Sequence, residues 1–159
     1  MKQIHDIEIM APVGCWESLA AAIEAGATSV YFGIEHLNMR SRSSANFTTQ
    51  DLHTIVERCQ AVGVKTYLTL NTVMYPEDLP LMREIVDHAK TANVSAIIAS
   101  DIAALQYAYQ SGVEVHLSTQ LNIANTEALK FYAQYADVVV LARELNMEQV
   151  ASIYRDILE

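Results

Sequence analysis

The chain has 159 residues, enough for one well-buried core, so a single domain over residues 1–159 is expected. Hydrophobic residues make up 52% and charged residues 18%, a globular balance that excludes a disordered chain. No apolar stretch approaches the ~18 residues of a membrane span, and a net charge of −9 disfavours loose binding of nucleic acid over the whole surface while leaving room for a small basic pocket.

The opening MKQIHDIEIM has no long apolar run, so no secretory leader is expected and the protein reads as cytoplasmic. Six apolar runs follow, at 9–11, 30–32, 64–70, 96–99, 113–117 and 138–141, each succeeded by a polar loop and then a helical pattern. Between the second and third runs, residues 48–61 place Leu52, Ile55, Val56 and Cys59 on one face, with Thr48 and Asp51 in capping-box spacing and Gly63 as terminator. Asp78 is expected to cap the next helix, with Pro80 in its first turn and Met82, Ile85, Val86 and Ala89 inward. Asp101 caps a helix ending at Gly112, Asn125 opens another, and Asn146 with Gln149 opens the last, predicted to bury Val150, Ile153, Tyr154 and Ile157. Cys15 and Cys59 stand apart from each other and from any histidine, which suits free thiols rather than a disulfide or a metal site.

Strands alternating with amphipathic helices read as parallel βαβ units. A doubly wound sheet is complete at this length, whereas a (β/α)₈ barrel takes about 250 residues. The strands favour the barrel. Val113, Val115 and Leu117 share one face while Glu114, His116 and Ser118 share the other, and Val64, Leu68 and Leu70 are likewise split from Lys65, Tyr67, Thr69 and Asn71. A sheet covered by helices on both faces reads apolar on both, but a strand lining a lumen can carry polar groups inward. The predicted fold is therefore a TIM-barrel-like α/β domain with about six βα units, an incomplete barrel whose helices cover the convex side.

Loops that follow parallel strands emerge on one face and bind substrates there. The long loop 34–47 carries Asn38, Arg40, Arg42 and Asn46, and paired guanidiniums suit a carboxylate or phosphate; pairing with surface acids is the alternative. Asn71 ends the third run, and Ser118, Gln120 and Asn122 follow the fifth. Arg143 follows the sixth, with the parity of Val139 and Leu141 taken as lumen-facing. His116 and Ser118 invite a base–nucleophile reading, but neighbours two apart on a strand point in parallel some ~7 Å apart, and no acid is evident to orient His116. A lumen histidine bonded to its surroundings is the expectation. Candidate substrate-binding residues are thus Arg40, Arg42, Asn71, Ser118, Gln120, Asn122 and Arg143; no catalytic residue is assigned, no metal site is expected, and Asp101 is read as a helix cap.

The segments IMAPVG at 9–14, GATSVYFG at 26–33, NMRSRSSANFT at 38–48, YLTLNT at 67–72, HLSTQLNIAN at 116–125 and VVLARELNMEQV at 139–150 together resemble the collagenase-like peptidase U32 family. The resemblance covers nearly the whole chain and implies a TIM-barrel-like domain classed as a protease. Related members act in hydroxylation of transfer or ribosomal RNA bases or of ubiquinone. It also implies a cysteine-bearing signature just beyond Glu159, which in some branches holds an iron–sulfur cluster. Cys15 and Cys59 do not match those cysteines, so the chain looks like the N-terminal portion of a longer parent, without a cofactor of its own.

Three functions remain open. The chain can hold an anionic RNA or metabolite substrate for modification. It can be a peptidase, although no nucleophile, base and orienter set or metal site is visible to supply a mechanism. It can be a noncatalytic interaction fragment. No membrane partner is expected; self-association, or a missing C-terminal half, would cover the open strand edges.

Overall fold

The computed structural model describes residues 7–38 and 47–158. Six strands, β1 (Met10–Pro12), β2 (Ser29–Phe32), β3 (Lys65–Leu70), β4 (Ala96–Ala99), β5 (Val115–Leu117) and β6 (Val138–Val139), alternate with α1 (Trp16–Glu24), α2 (Asp51–Gln60), α3 (Leu79–Ala92), α4 (Ile102–Ser111), α5 (Thr126–Tyr132) and α6 (Met147–Asp156). All neighbouring strands are parallel, and their order across the sheet is their order in sequence. A doubly wound sheet would reverse direction part-way. This one does not. Right-handed crossovers taken repeatedly in one direction put every helix on the same face, and the six strands curl into a half-barrel.

The core lies between that convex face and α2–α4. Phe32, Leu52, Ile55, Leu68, Leu70, Met82, Ile85, Ile97, Leu105 and Leu117 are fully buried there. Complete burial of each such side chain is worth about 1.5–3 kcal/mol. Burial weakens toward both edges: Met10 and Val138 are exposed.

Helix termini follow the expected chemistry with two changes. Asp101 Oδ1 accepts from Ala103 N at 2.8 Å, Asn125 Oδ1 from Ala128 N at 2.8 Å, and Asn146 and Gln149 form a reciprocal capping box. The second helix, however, starts at Asp51 rather than Thr48. Asp51 Oδ2 reaches back to both Thr48 N and Thr48 Oγ1 at 2.8 Å, so only half of the expected box forms. Asp78 holds the N-cap position of α3 but makes no side-chain cap bond there. A 3₁₀ turn, Pro76–Asp78, precedes that helix, and the Asp78 carboxylate turns back to accept from Tyr75 N at 3.0 Å.

The strand runs also shorten. β5 begins at Val115 rather than 113, and β6 pairs over two residues instead of four. In α6 only Ile153 of the four predicted inward residues is buried; Val150 is half-buried, and Tyr154 and Ile157 are exposed.

The turn after β2 depends on a glycine. The Asn38 carboxamide lies on the Cα of Gly33, where any Cβ would overlap it. Asn38 is wholly buried and donates from Nδ2 to Ile34 O and Glu35 O, each at 3.3 Å. Gly33→Ala must expel this amide and strand the carbonyls it serves, costing about 1–3 kcal/mol. A urea melt should show the lower midpoint; an unchanged midpoint would mean that Asn38 swings aside freely.

Apolar groups on the edges suggest a second measurement. Met10, Val138 and Val140 on the concave side and Tyr154, Ile157 and Leu158 along α6 and just beyond it are all exposed, and contiguous apolar surface drives association. Light scattering on the isolated chain at micromolar concentration should report a dimer or larger species. A monomer that binds no hydrophobic dye would contradict this.

Candidate functional site

Because the helices occupy one face, the other face of the sheet is a concave trough of about 690 Å³. Strand alternation decides what lines it. From β3 come Lys65, Tyr67 and Thr69, with Asn71 just past its end; from β5 and its flanks come Glu114, His116 and Ser118. These are the polar sets that the two-residue period separates from the apolar ones. Glu8, Tyr31 and Ile98 complete the floor, with Met10, Val138 and Val140 toward the open edges.

The floor holds a connected set of ionisable groups. Lys65 Nζ lies 3.1 Å from Glu8 Oε2. Burial opposes the charge on Glu8, but the adjoining Tyr67 hydroxyl and the Lys65 ammonium prevail and hold its carboxyl below the ordinary range. Burial, and then the carboxylates of Glu8 and Glu114, push the Tyr67 phenol far above its usual value, so it stays protonated. The Tyr67 ring stacks at a tilt on His116, centroids 4.8 Å apart. His116 Nε2 lies 2.8 Å from Glu114 Oε1. The acid that the sequence did not reveal is therefore Glu114. The ~7 Å between i and i+2 on a strand defeats a short serine but not a glutamate with two more rotatable bonds. The sequence signal was present as a long acid on the same strand face as the histidine.

At the C-terminal ends of the strands a second hollow of about 310 Å³ lies between the loops after β3, β4 and β5. Asn71 lines both cavities, and Ser100, Asp101 and Gln120 line the smaller. Ser100 Oγ and Ser118 Oγ both approach Gln120 Oε1, at 3.4 and 3.5 Å. Asp101 is fully engaged, since its Oδ2 accepts from Met74 N at 3.2 Å while Oδ1 caps α4. Asn71, Ser118 and Gln120 thus meet at one mouth.

Other candidates lie elsewhere. Asn122 is exposed, ends a 3₁₀ turn with φ +50°, and lines neither cavity. Arg143 is exposed and lines neither cavity. Its expected parity is reversed: His116 pairs in register with Val138, so Val138 and Val140 face the trough while Val139 and Leu141 pack toward the helices. Asn38, read as a loop donor, is buried beneath the turn. Arg40, Arg42 and Asn46 lie outside the described residues.

The base of their loop is nevertheless well fixed. Ile34 and Phe47 form a parallel bridge, and Glu35 Oε1 accepts from Thr49 N and Oγ1 at 3.0 and 3.1 Å. Phe47 packs edge-on against Trp16 and Phe32, with centroids 5.2 and 5.9 Å away.

Ser118 has no bond to His116; its hydroxyl contacts Gln120 instead. No serine or cysteine among the described residues is hydrogen-bonded to the His116–Glu114 pair. Among the described residues no group of three or more His, Cys, Asp or Glu could hold a metal. Cys59, on the inner face of α2, is wholly buried, its thiol pushed up to about 11 by that burial, and Cys15 caps α1 and donates to Ser18 Oγ at 3.4 Å. The two do not fit as ligands of an iron–sulfur cluster. No described helix is long and apolar enough to cross a membrane.

Comparison with known proteins agrees with this architecture. A collagenase of Porphyromonas gingivalis is 66% identical over 97% of the chain, which spans 37% of that protein. The tRNA hydroxylation protein P1 of Bacillus subtilis is 33% identical over 90% of the chain, covering 34% of that protein. The chain therefore spans little more than a third of these relatives. A solved U32 peptidase superposes with a TM-score of 0.76 at 14% identity, covering 98% of this chain and 67% of that one, a likeness of fold. The profile of peptidase family U32 matches residues 14–159, and the chain belongs to that family.

Proposed function

We propose that this chain forms the substrate-facing portion of an enzyme that modifies an RNA base or a related anionic metabolite by hydroxylation. The observation that supports it best is the meeting, at Asn71, of a polar trough and a mouth lined by hydroxyl and amide groups. Uncharged donors and acceptors that converge in a concave site suit a base or a similar polar ring. The likeness to a tRNA hydroxylation protein favours the same reading.

In this reading the phosphate stays at the rim. Among the described residues the trough carries the carboxylates of Glu8 and Glu114 against one lysine, Lys65, a balance that repels an anion. Arg40 and Arg42, between Ile34 and Phe47 in sequence, are the proposed phosphate ligands. An iron–sulfur cluster held by cysteines of a longer parent, and a cytoplasmic location, belong to the same proposal.

The collagenase relative raises proteolysis as the rival reading. It would need the His116–Glu114 pair to activate water or a nucleophile supplied from beyond the described residues.

Calorimetric titration with cytidine and uridine 5′-monophosphates, beside the parent nucleosides, tests the proposal. Asn71→Ala should weaken both ligand types about tenfold, the loss of roughly one hydrogen bond to a charged or polar partner. Arg40→Ala should weaken only the nucleotides. Equal affinity for nucleoside and nucleotide would remove the anion role; absence of binding by either would remove the reading.

A further inference from the structure

His116 is set up for more than packing. It is only 7% exposed, yet it lines the trough. Its Nε2 is committed to Glu114 Oε1 at 2.8 Å, and one ring face is covered by Tyr67. The His116 ring makes no further hydrogen bond among the described residues, so Nδ1 has no protein partner there. A carboxylate that accepts from one imidazole nitrogen fixes the tautomer and leaves the other nitrogen as a lone-pair base. The neighbouring ionisable groups do not compete for that lone pair. Tyr67 is held protonated with Glu8 beside its hydroxyl, and Glu8 is paired with Lys65.

We propose that His116 is the proton-transfer group of the trough, oriented by Glu114 and braced by Tyr67. Nδ1 takes a proton from an O–H or N–H of the bound ligand, or from a water bound to it. The new N–H bond forms as the old O–H or N–H bond breaks, and the electron pair of the broken bond stays on the ligand or water atom. The resulting imidazolium is neutralised by the Glu114 carboxylate, and the proton returns to product or solvent in the reverse sense. The role rests on geometry within the trough and holds for either a nucleotide or another polar ligand there.

Two measurements on the chain itself test it. Long-range ¹H–¹⁵N spectra of the labelled protein should show neutral His116 as a single tautomer protonated at Nε2. Glu114→Ala should convert it to a mixture. Carbethoxylation with diethyl pyrocarbonate, resolved by site with mass spectrometry, should modify His116, and cytidine 5′-monophosphate should slow that reaction severalfold. A wild-type tautomer protonated at Nδ1, or a His116 inert to the reagent while His36 and His88 react, would overturn the proposal. Reaction at His116 that the nucleotide does not slow would uphold its accessible base and count instead against the nucleotide as ligand.

Discussion

Everything distinctive about this molecule depends on one topological constraint: each parallel strand is laid beside the one before it, and such crossovers share one hand by rule. Repeating that step without reversal sends all helices to one side. The sheet then has a face that must be apolar and a face that need not be. Phe32, Leu68, Ile97 and Leu117 satisfy the first, and Tyr67, Thr69, His116 and Ser118 use the freedom of the second.

That asymmetry also explains why polar groups survive burial in the trough. Thr69 donates to Phe32 O across the sheet at 3.0 Å and His116 finds Glu114, while the exposed Lys65 pairs with Glu8 at the edge. A buried polar group without a partner costs about 1–3 kcal/mol, so a lumen of this kind persists only as a network. Within it the Tyr67 phenol is pushed up by burial and by the neighbouring carboxylates, and the Glu8 carboxyl is held below its ordinary range.

Much of this was legible in the residues, and the exceptions have physical reasons. In Lys65–Leu70 and Val115–Leu117 polar and apolar positions alternate, so the direction of each side chain could be read. In 138–141 all four residues are apolar, alternation vanishes, and the lumen face was assigned to Val139 and Leu141 instead of Val138 and Val140. Register against His116, a property of two strands, was needed to correct it. Asn38 looked like a surface donor because a loop asparagine usually is one; its burial follows from Gly33, whose missing Cβ leaves the space. Asp78 was a plausible cap, but Pro76 started a turn one step earlier and redirected its carboxylate to Tyr75. Of the residues read as ligand-binding, Asn71, Ser118 and Gln120 are brought together by strand ends, which sequence order alone anticipates. Glu114 escaped notice because spacing was judged for a short side chain and not for a long one.

Asp101 carries a consequence beyond helix capping. One oxygen holds the first turn of α4 and the other holds the Met74 amide in the loop after β3. Two loops that frame the mouth are thereby joined by a single carboxylate whose position is set by a helix of the core. Their ordering entropy is spent when the chain folds and not when a ligand arrives, so a guest meets a preorganised rim. The rigidity of this opening is inherited from the scaffold, and a change deep in α4 can reach it without touching either loop.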